Sequence, residues 1–244
     1  MKFRTFFLSA LFASILAILG SSCSDIGICV NGQGPIADST LNLPAIAGIH
    51  ISDNANLYIS QGTTQEVSVS SQENILEDLD IEVVNDILMV KLNGCHYSYD
   101  MDVFVTLAQP LTEVSVSGSG DVFSDTLISA AQNLDLDISG SGAISLEVQA
   151  TDIQSRISGS GDLNLSGTAT NHELKISGSG ALASYDLICD NHDLTVSGSG
   201  SGKVFVNGGS LDVKISGAGK IYYKGTPSSI NTQISGSGAL IDDN

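Results

Sequence analysis

The chain has 244 residues, room for one large domain or two small ones, and a formal net charge of −18. Two of its nine basic residues, Lys2 and Arg4, fall in an N-terminal segment without acids; the other seven face 27 acidic residues, a net of −20. A surface this acidic repels nucleic acid and anionic headgroups, whose phosphates are bound through Lys and Arg. With four prolines and 42% apolar residues the chain is also not a disordered polymer.

The first element is an export signal over residues 1–22. Lys2 and Arg4 precede an apolar run, Phe6 to Leu19, that is short for a mature membrane span. The run ends in Leu19-Gly20-Ser21-Ser22-Cys23, which resembles a bacterial lipobox, in which Cys23 would be lipidated and become the new N-terminus. Gly20 stands where such motifs usually carry Leu, with Leu19 one place further back. The reading is therefore an exported protein anchored by lipid in the bacterial cell envelope, at the outer membrane, with residues 23–46 as tether and lead-in. Of the other cysteines, Cys29 and Cys95 lie outside the regular repeats and are the candidate disulfide, leaving Cys189 as a buried thiol. Spacing alone does not decide between that pairing and three free thiols.

Residues 47–116 hold strand-like runs at 81–84, 87–92 and 101–107. Ile51 and Leu57 stand six apart, as do Val69 and Ile75; the same spacing separates Val116 from Val122 further on. The segment reads as irregular first coils of a repeat, about three of them, capping an otherwise open edge.

From 117 to 244 the chain repeats. A Ser-Gly-Ser-Gly motif starts at Ser117, Ser139, Ser158, Ser177, Ser197, Ser216 (here Ser-Gly-Ala-Gly) and Ser235, at intervals of 19 to 22 residues. A β-branched residue precedes every copy: Val116, Ile138, Ile157, Ile176, Val196, Ile215 and Ile234. Five places after the start stands an apolar residue in six copies: Val122, Ile144, Leu163, Leu182, Ile221 and Leu240; Gly202 is the exception. Between motifs apolar residues alternate, as in Ile144, Leu146 and Val148, which is the period of a strand with one buried face.

A unit of some twenty residues cannot bury that face alone, but stacked units can. The predicted fold is all-β: a single-stranded β-helix, or β-solenoid, of about ten coils, taken as right-handed. The motif glycines are its corners: Gly118, Gly120, Gly140, Gly142, Gly159, Gly161, Gly178, Gly180, Gly198, Gly200, Gly217, Gly219, Gly236 and Gly238. A corner repeated in every coil needs either positive φ or close chain passage, and glycine accepts both. Asp242-Asp243-Asn244 would blunt the far end with charge.

These residues resemble the autotransporter-adhesin "head GIN" domain family of bacterial lipoproteins, over about residues 46–242. The resemblance rests on the Ile-Ser-Gly-Ser-Gly repeat, on Ala47-Gly48-Ile49-His50-Ile51 through Leu57-Tyr58-Ile59-Ser60-Gln61-Gly62, and on Asp86-Ile87-Leu88-Met89-Val90. It implies an exported β-helical domain with an adhesive role, and supplies no catalytic residues.

Motifs for chemistry are weak by comparison. No amphipathic helix follows any glycine motif, as a nucleotide loop would need. Asp121 and Asp162 follow the last motif glycine in only two copies, too few for stacked calcium ligands. His172 and His192 each stand five residues before a motif and read as an exposed polar pair on adjacent coils, without a third ligand. Asp78, Asp80 and Glu82, like Asp135 and Asp137, read as solvated strand faces. No catalytic, cofactor or metal residue is assigned. The expected function is a non-enzymatic surface or periplasmic binding and scaffold module, an adhesin for a glycan or protein, with a homo-oligomer among its states. The alternative is a carbohydrate-active β-helix enzyme, a polysaccharide lyase or a glycosidase; the one mature arginine, Arg156, is poor ground for a lyase, and 27 acids single out no glycosidase pair.

Overall fold

The computed structural model describes residues 29–244. The alternation in the sequence reappears as alternation in burial. Along Asp152–Gly159, Ile153, Ser155 and Ile157 point inward while Arg156 and Ser158 are exposed. Seven motif-bearing turns follow one another, each contributing a strand to two faces joined at the Ser-Gly-Ser-Gly corner. On the first face Val116, Ile138, Ile157, Ile176, Val196, Ile215 and Ile234 lie side by side in parallel register. On the second, Val122, Ile144, Leu163, Leu182, Gly202, Ile221 and Leu240 do the same. Two strands, Asp162–Gly178 and Ala181–Gly198, run unbroken from the second face of one turn into the first face of the next.

The interior is a stack of Ile, Leu and Val rows. The eight residues expected to fill it, Ile138, Ile144, Ile157, Leu163, Ile176, Leu182, Ile215 and Ile221, are each at most 2% exposed. Burial of each such side chain is worth roughly 1.5–3 kcal/mol, so the rows supply most of the favourable free energy.

The two motif glycines serve different needs. Gly159 has φ +135°, and a Cβ there would meet the carbonyl oxygen of Gly140 one turn away at 2.4 Å. Gly161 has no unusual φ, but its Cβ would press on Ile138 Cγ2 at 2.4 Å and Gly142 O at 2.5 Å. The first glycine sets the corner's conformation, and the second admits the isoleucine of the preceding turn.

The N-terminal third departs from expectation. It gives two further levels, not three, so the solenoid has about seven regular turns rather than ten. Those two levels are also stacked against chain order. Gly48–Ile51 and Asn56–Gln61 form the level next to the first motif turn. Ile87–Leu92 and Met101–Leu107, later in the chain, lie beyond them at the end of the stack. Ile51 and Leu57 do occupy the corner positions of Val116 and Val122. Val69 and Ile75 do not: Val69 lies on Glu66–Gln72, which runs antiparallel to Met101–Leu107, and Ile75 is on the short helix Glu73–Leu76. Ile36–Leu41 pairs antiparallel with Glu66–Gln72, and Leu79–Val84 with Ile87–Leu92 through a two-residue turn, Asn85-Asp86, with φ +52° and +65°. These antiparallel strands close the end of the stack. Cys29 and Cys95 are joined by a disulfide with Cα atoms 4.5 Å apart, fastening residue 29 to this capped end.

Candidate binding face

On every second-face strand the residue after the buried corner position points outward. These residues make a row across the stack: Phe104, Tyr58, Phe123, Ser145, Asn164, Ala183, Lys203, Tyr222 and Ile241. Its first third is aromatic. The Tyr58 ring stacks on Phe104 at 5.1 Å and 15°, and on Phe123 at 5.6 Å and 24°. Phe104 is 44% exposed, so the edge of the stack faces solvent. Two polar residues come next: Asn164 Nδ2 donates to Ser145 Oγ at 3.0 Å.

Beside the polar part lies an open groove of about 550 Å³ lined by Ser145, Glu147, Asn164, Ser166, Tyr185, Asp186 and Lys203, among others. A bulge creates it. The register of Ala181–Gly198 slips against both neighbouring strands around Tyr185–Leu187, and the extra chain pushes Tyr185 and Asp186 outward. The Tyr185 hydroxyl donates to Asp243 Oδ2 at 2.8 Å, and Lys224 Nζ stands 4.7 Å from the ring centre. Desolvation, reinforced by Asp243, holds that hydroxyl well above its ordinary pKa. Asp242 accepts from Tyr223 at 3.1 Å, and Asn244 accepts from the Gly225 amide at 2.8 Å. The acidic tail is thus tied to the second face.

The fold has counterparts. The family profile described as "Putative auto-transporter adhesin, head GIN domain" matches residues 46–227. The chain belongs to this family. Solved structures share the head GIN architecture. One described as a putative adhesin from Bacteroides fragilis is 21% identical, with a TM-score of 0.77 over 87% of this chain and 99% of its own. Two from Parabacteroides distasonis are described as a putative adhesin (20% identical, TM-score 0.68, 88% of this chain and 100% of its own) and a putative lipid binding protein (18% identical, TM-score 0.72, 89% and 100%). At these identities the likeness is one of fold. No curated protein matches the chain.

Within the head GIN domain the histidine pair lies elsewhere than expected. His172 and His192 are stacked on adjacent turns, but inside the solenoid, each 1% exposed. They belong to the interior row Leu134, Ile153, His172, His192, Leu211 and Ile230. Their rings meet edge to face, 5.5 Å between centres. His172 Nε2 bonds Ser155 Oγ at 3.0 Å, His192 Nε2 donates to the Phe205 carbonyl at 3.2 Å, and both Nδ1 atoms are buried without a partner. Desolvation, and for His172 also its neighbour, lowers the pKa values to about 3 and about 4, so both rings are neutral at physiological pH. Among the described residues no three His, Cys, Asp or Glu side chains gather as a metal site. Cys189 is buried with its thiol directed to the Asn191 carbonyl at 3.3 Å, and burial pushes its pKa up to about 12. Asp78 and Asp80, read as solvated, are paired with His96 at 2.9 Å and Lys91 at 3.0 Å. Cys23 and the signal segment lie outside the described residues.

Proposed function

We propose that this protein is an exported, non-enzymatic binding and scaffold module, held at the bacterial outer membrane by lipid on Cys23 and acting as an adhesin for a surface glycan or protein. The observation that carries the reading is the outward row of the second face. A stacked aromatic strip continues into the hydrogen-bonded Ser145–Asn164 pair beside an open groove, all on strands with a buried inner side. Strands about 4.8 Å apart present these groups as a rigid, regular array, so an extended partner is met by side chains that lose little freedom on binding. The family's adhesin description and the lipobox-like Leu19–Cys23 support an exported, surface-facing role.

The test is adhesion by cells displaying the protein to immobilised host and bacterial surface glycans and proteins. Tyr58→Ser with Phe104→Ser should lower retention at least tenfold without lowering display. Retention unchanged by the double variant would remove this face from the function.

A further inference from the structure

The terminal turn differs from those beneath it. On the first face each preceding regular strand carries charge on its outward row: Asp135, Arg156, Lys175, Asp193 and Lys214 are examples. The last strand, Ser229–Gly236, carries none; Asn231 stands in register with Asp212, and Gln233 with Lys214. Among the described residues it pairs only with Ser210–Gly217, and none of them covers its other edge. Ile230 and Ile234, continuing the rows of buried Leu211 and Ile215, are each 43% exposed. Exposed edges are usually guarded by Lys, Pro or a bulge, because an unguarded one pairs with another strand. This strand has none of those guards, and it lies beyond residue 227, where the family match ends.

What the edge fits is written in its sequence. Ser229-Ile230-Asn231-Thr232-Gln233-Ile234-Ser235 reads alike in both directions when Asn and Gln count as one side-chain class. An identical strand running antiparallel, with its dyad at Thr232, sets Ile230 opposite Ile234, Asn231 opposite Gln233 and Ser229 opposite Ser235. Apolar then meets apolar inside, and amide meets amide outside. A slip of one residue would turn one strand's core side outward, and a slip of two would set Ile234 against Thr232. Charge permits the approach as well. Residues 201–244 hold four lysines and three aspartates, a net of +1, whereas the other 200 residues carry −19.

We propose that Ser229–Gly236 is a homophilic contact, through which two copies join tail to tail about a dyad at Thr232 and merge their interiors. Such an interface is closed and stops at two. The disulfide holds residue 29 at the opposite end of each stack, so the two N-terminal ends of the pair stand about 80 Å apart. Residues 23–28 reach about 20 Å. Given the lipid anchor proposed above, the two copies then sit on facing membranes.

The mass of the full-length protein in detergent tests the dyad without reference to anchor or ligand. The wild type should sediment as a dimer at micromolar concentration. Asn231→Lys with Gln233→Lys places four like charges across the dyad and should return a monomer, with the thermal midpoint of wild type diluted below its dimerisation range, because both positions face solvent in the single copy. Thr232→Cys should form a covalent dimer on mild oxidation. A wild type monomeric at about 100 µM, a dimer indifferent to the lysine pair, open-ended filaments, or another protein's strand bound in place of the second copy would overturn the proposal. Phosphatidylcholine vesicles carrying the wild type should cluster, and those carrying the lysine variant should not. A detergent dimer without clustering would overturn the facing arrangement alone. Failure to enter vesicles would count against the anchor, not the dyad.

Discussion

Acid should destabilise this fold through two buried imidazoles. His172 and His192 titrate near 3 and 4 in the folded protein, because burial opposes their charged forms, and near 6.5 in the unfolded chain. Since the folded values are the depressed ones, the contribution is fully present above pH 6.5 and is lost as pH falls from 6.5 towards 4, where the unfolded state binds protons that the folded state does not. At pH 5 each unfolded imidazole is almost fully protonated and each folded one neutral, which costs about 2 kcal/mol per histidine relative to pH 8, about 4 kcal/mol for the pair. The assay is urea denaturation at pH 8, 6.5 and 5 for wild type and for His172→Leu with His192→Leu. Leucine is the residue this row already holds at Leu134 and Leu211. The variant strands the Ser155 hydroxyl, a roughly constant penalty that cancels between pH values. The carboxylates are common to both proteins, so the pH dependence of the difference isolates the histidines. Parallel stability curves for the two proteins would refute the buried placement.

Other outcomes follow from the same geometry. Gly159→Val should lose at least about 3 kcal/mol by chemical denaturation, since φ +135° and the Gly140 carbonyl at 2.4 Å leave no place for a branched Cβ; Ser160→Ala, at an exposed corner, should lose about 1 kcal/mol or less. Replacing both Cys29 and Cys95 by serine opens a loop of sequence separation 66 and should lower stability by up to about 4 kcal/mol, measured by the same denaturation. Cys23→Ala should abolish incorporation of a radiolabelled fatty acid and release the protein from the membrane fraction; undiminished labelling would exclude that anchor.

The solenoid is legible in the sequence because its constraints repeat. A corner that brings chain against chain in every turn needs glycine each time, and the flanking Ile, Leu and Val positions then fall into rows. The N-terminal third escapes because stacking order is not chain order there. Ile51 and Leu57 keep the corner spacing and are corners, while Val69 and Ile75 keep it and are not, since Glu66–Gln72 turns antiparallel. The aromatic row escapes because two of its three strands, Asn56–Gln61 and Met101–Leu107, carry no Ser-Gly-Ser-Gly motif to set Tyr58 and Phe104 in register with Phe123, and the reversed stacking is what puts Tyr58 in the middle. The histidines were within reach. Counting back by twos from Ile176 and Val196 lands on His172 and His192, on the same inward row as Leu134 and Ile153, but residue polarity outweighs register when each repeat is judged alone. The groove depends on a bulge at Tyr185–Leu187, a local slip that periodicity cannot announce.

Binding without turnover is the central functional claim, and one experiment addresses both halves of it. The purified protein is immobilised, exposed to a panel of surface polysaccharides and glycoproteins, and assayed for retained ligand and for released product. The account predicts retention of at least one extended ligand, lost with Tyr58→Ser and Phe104→Ser, and no product at any time. Release of oligosaccharide that disappears when Glu147 and Asp186 in the groove are changed to Gln and Asn would contradict it and make the protein a glycosidase.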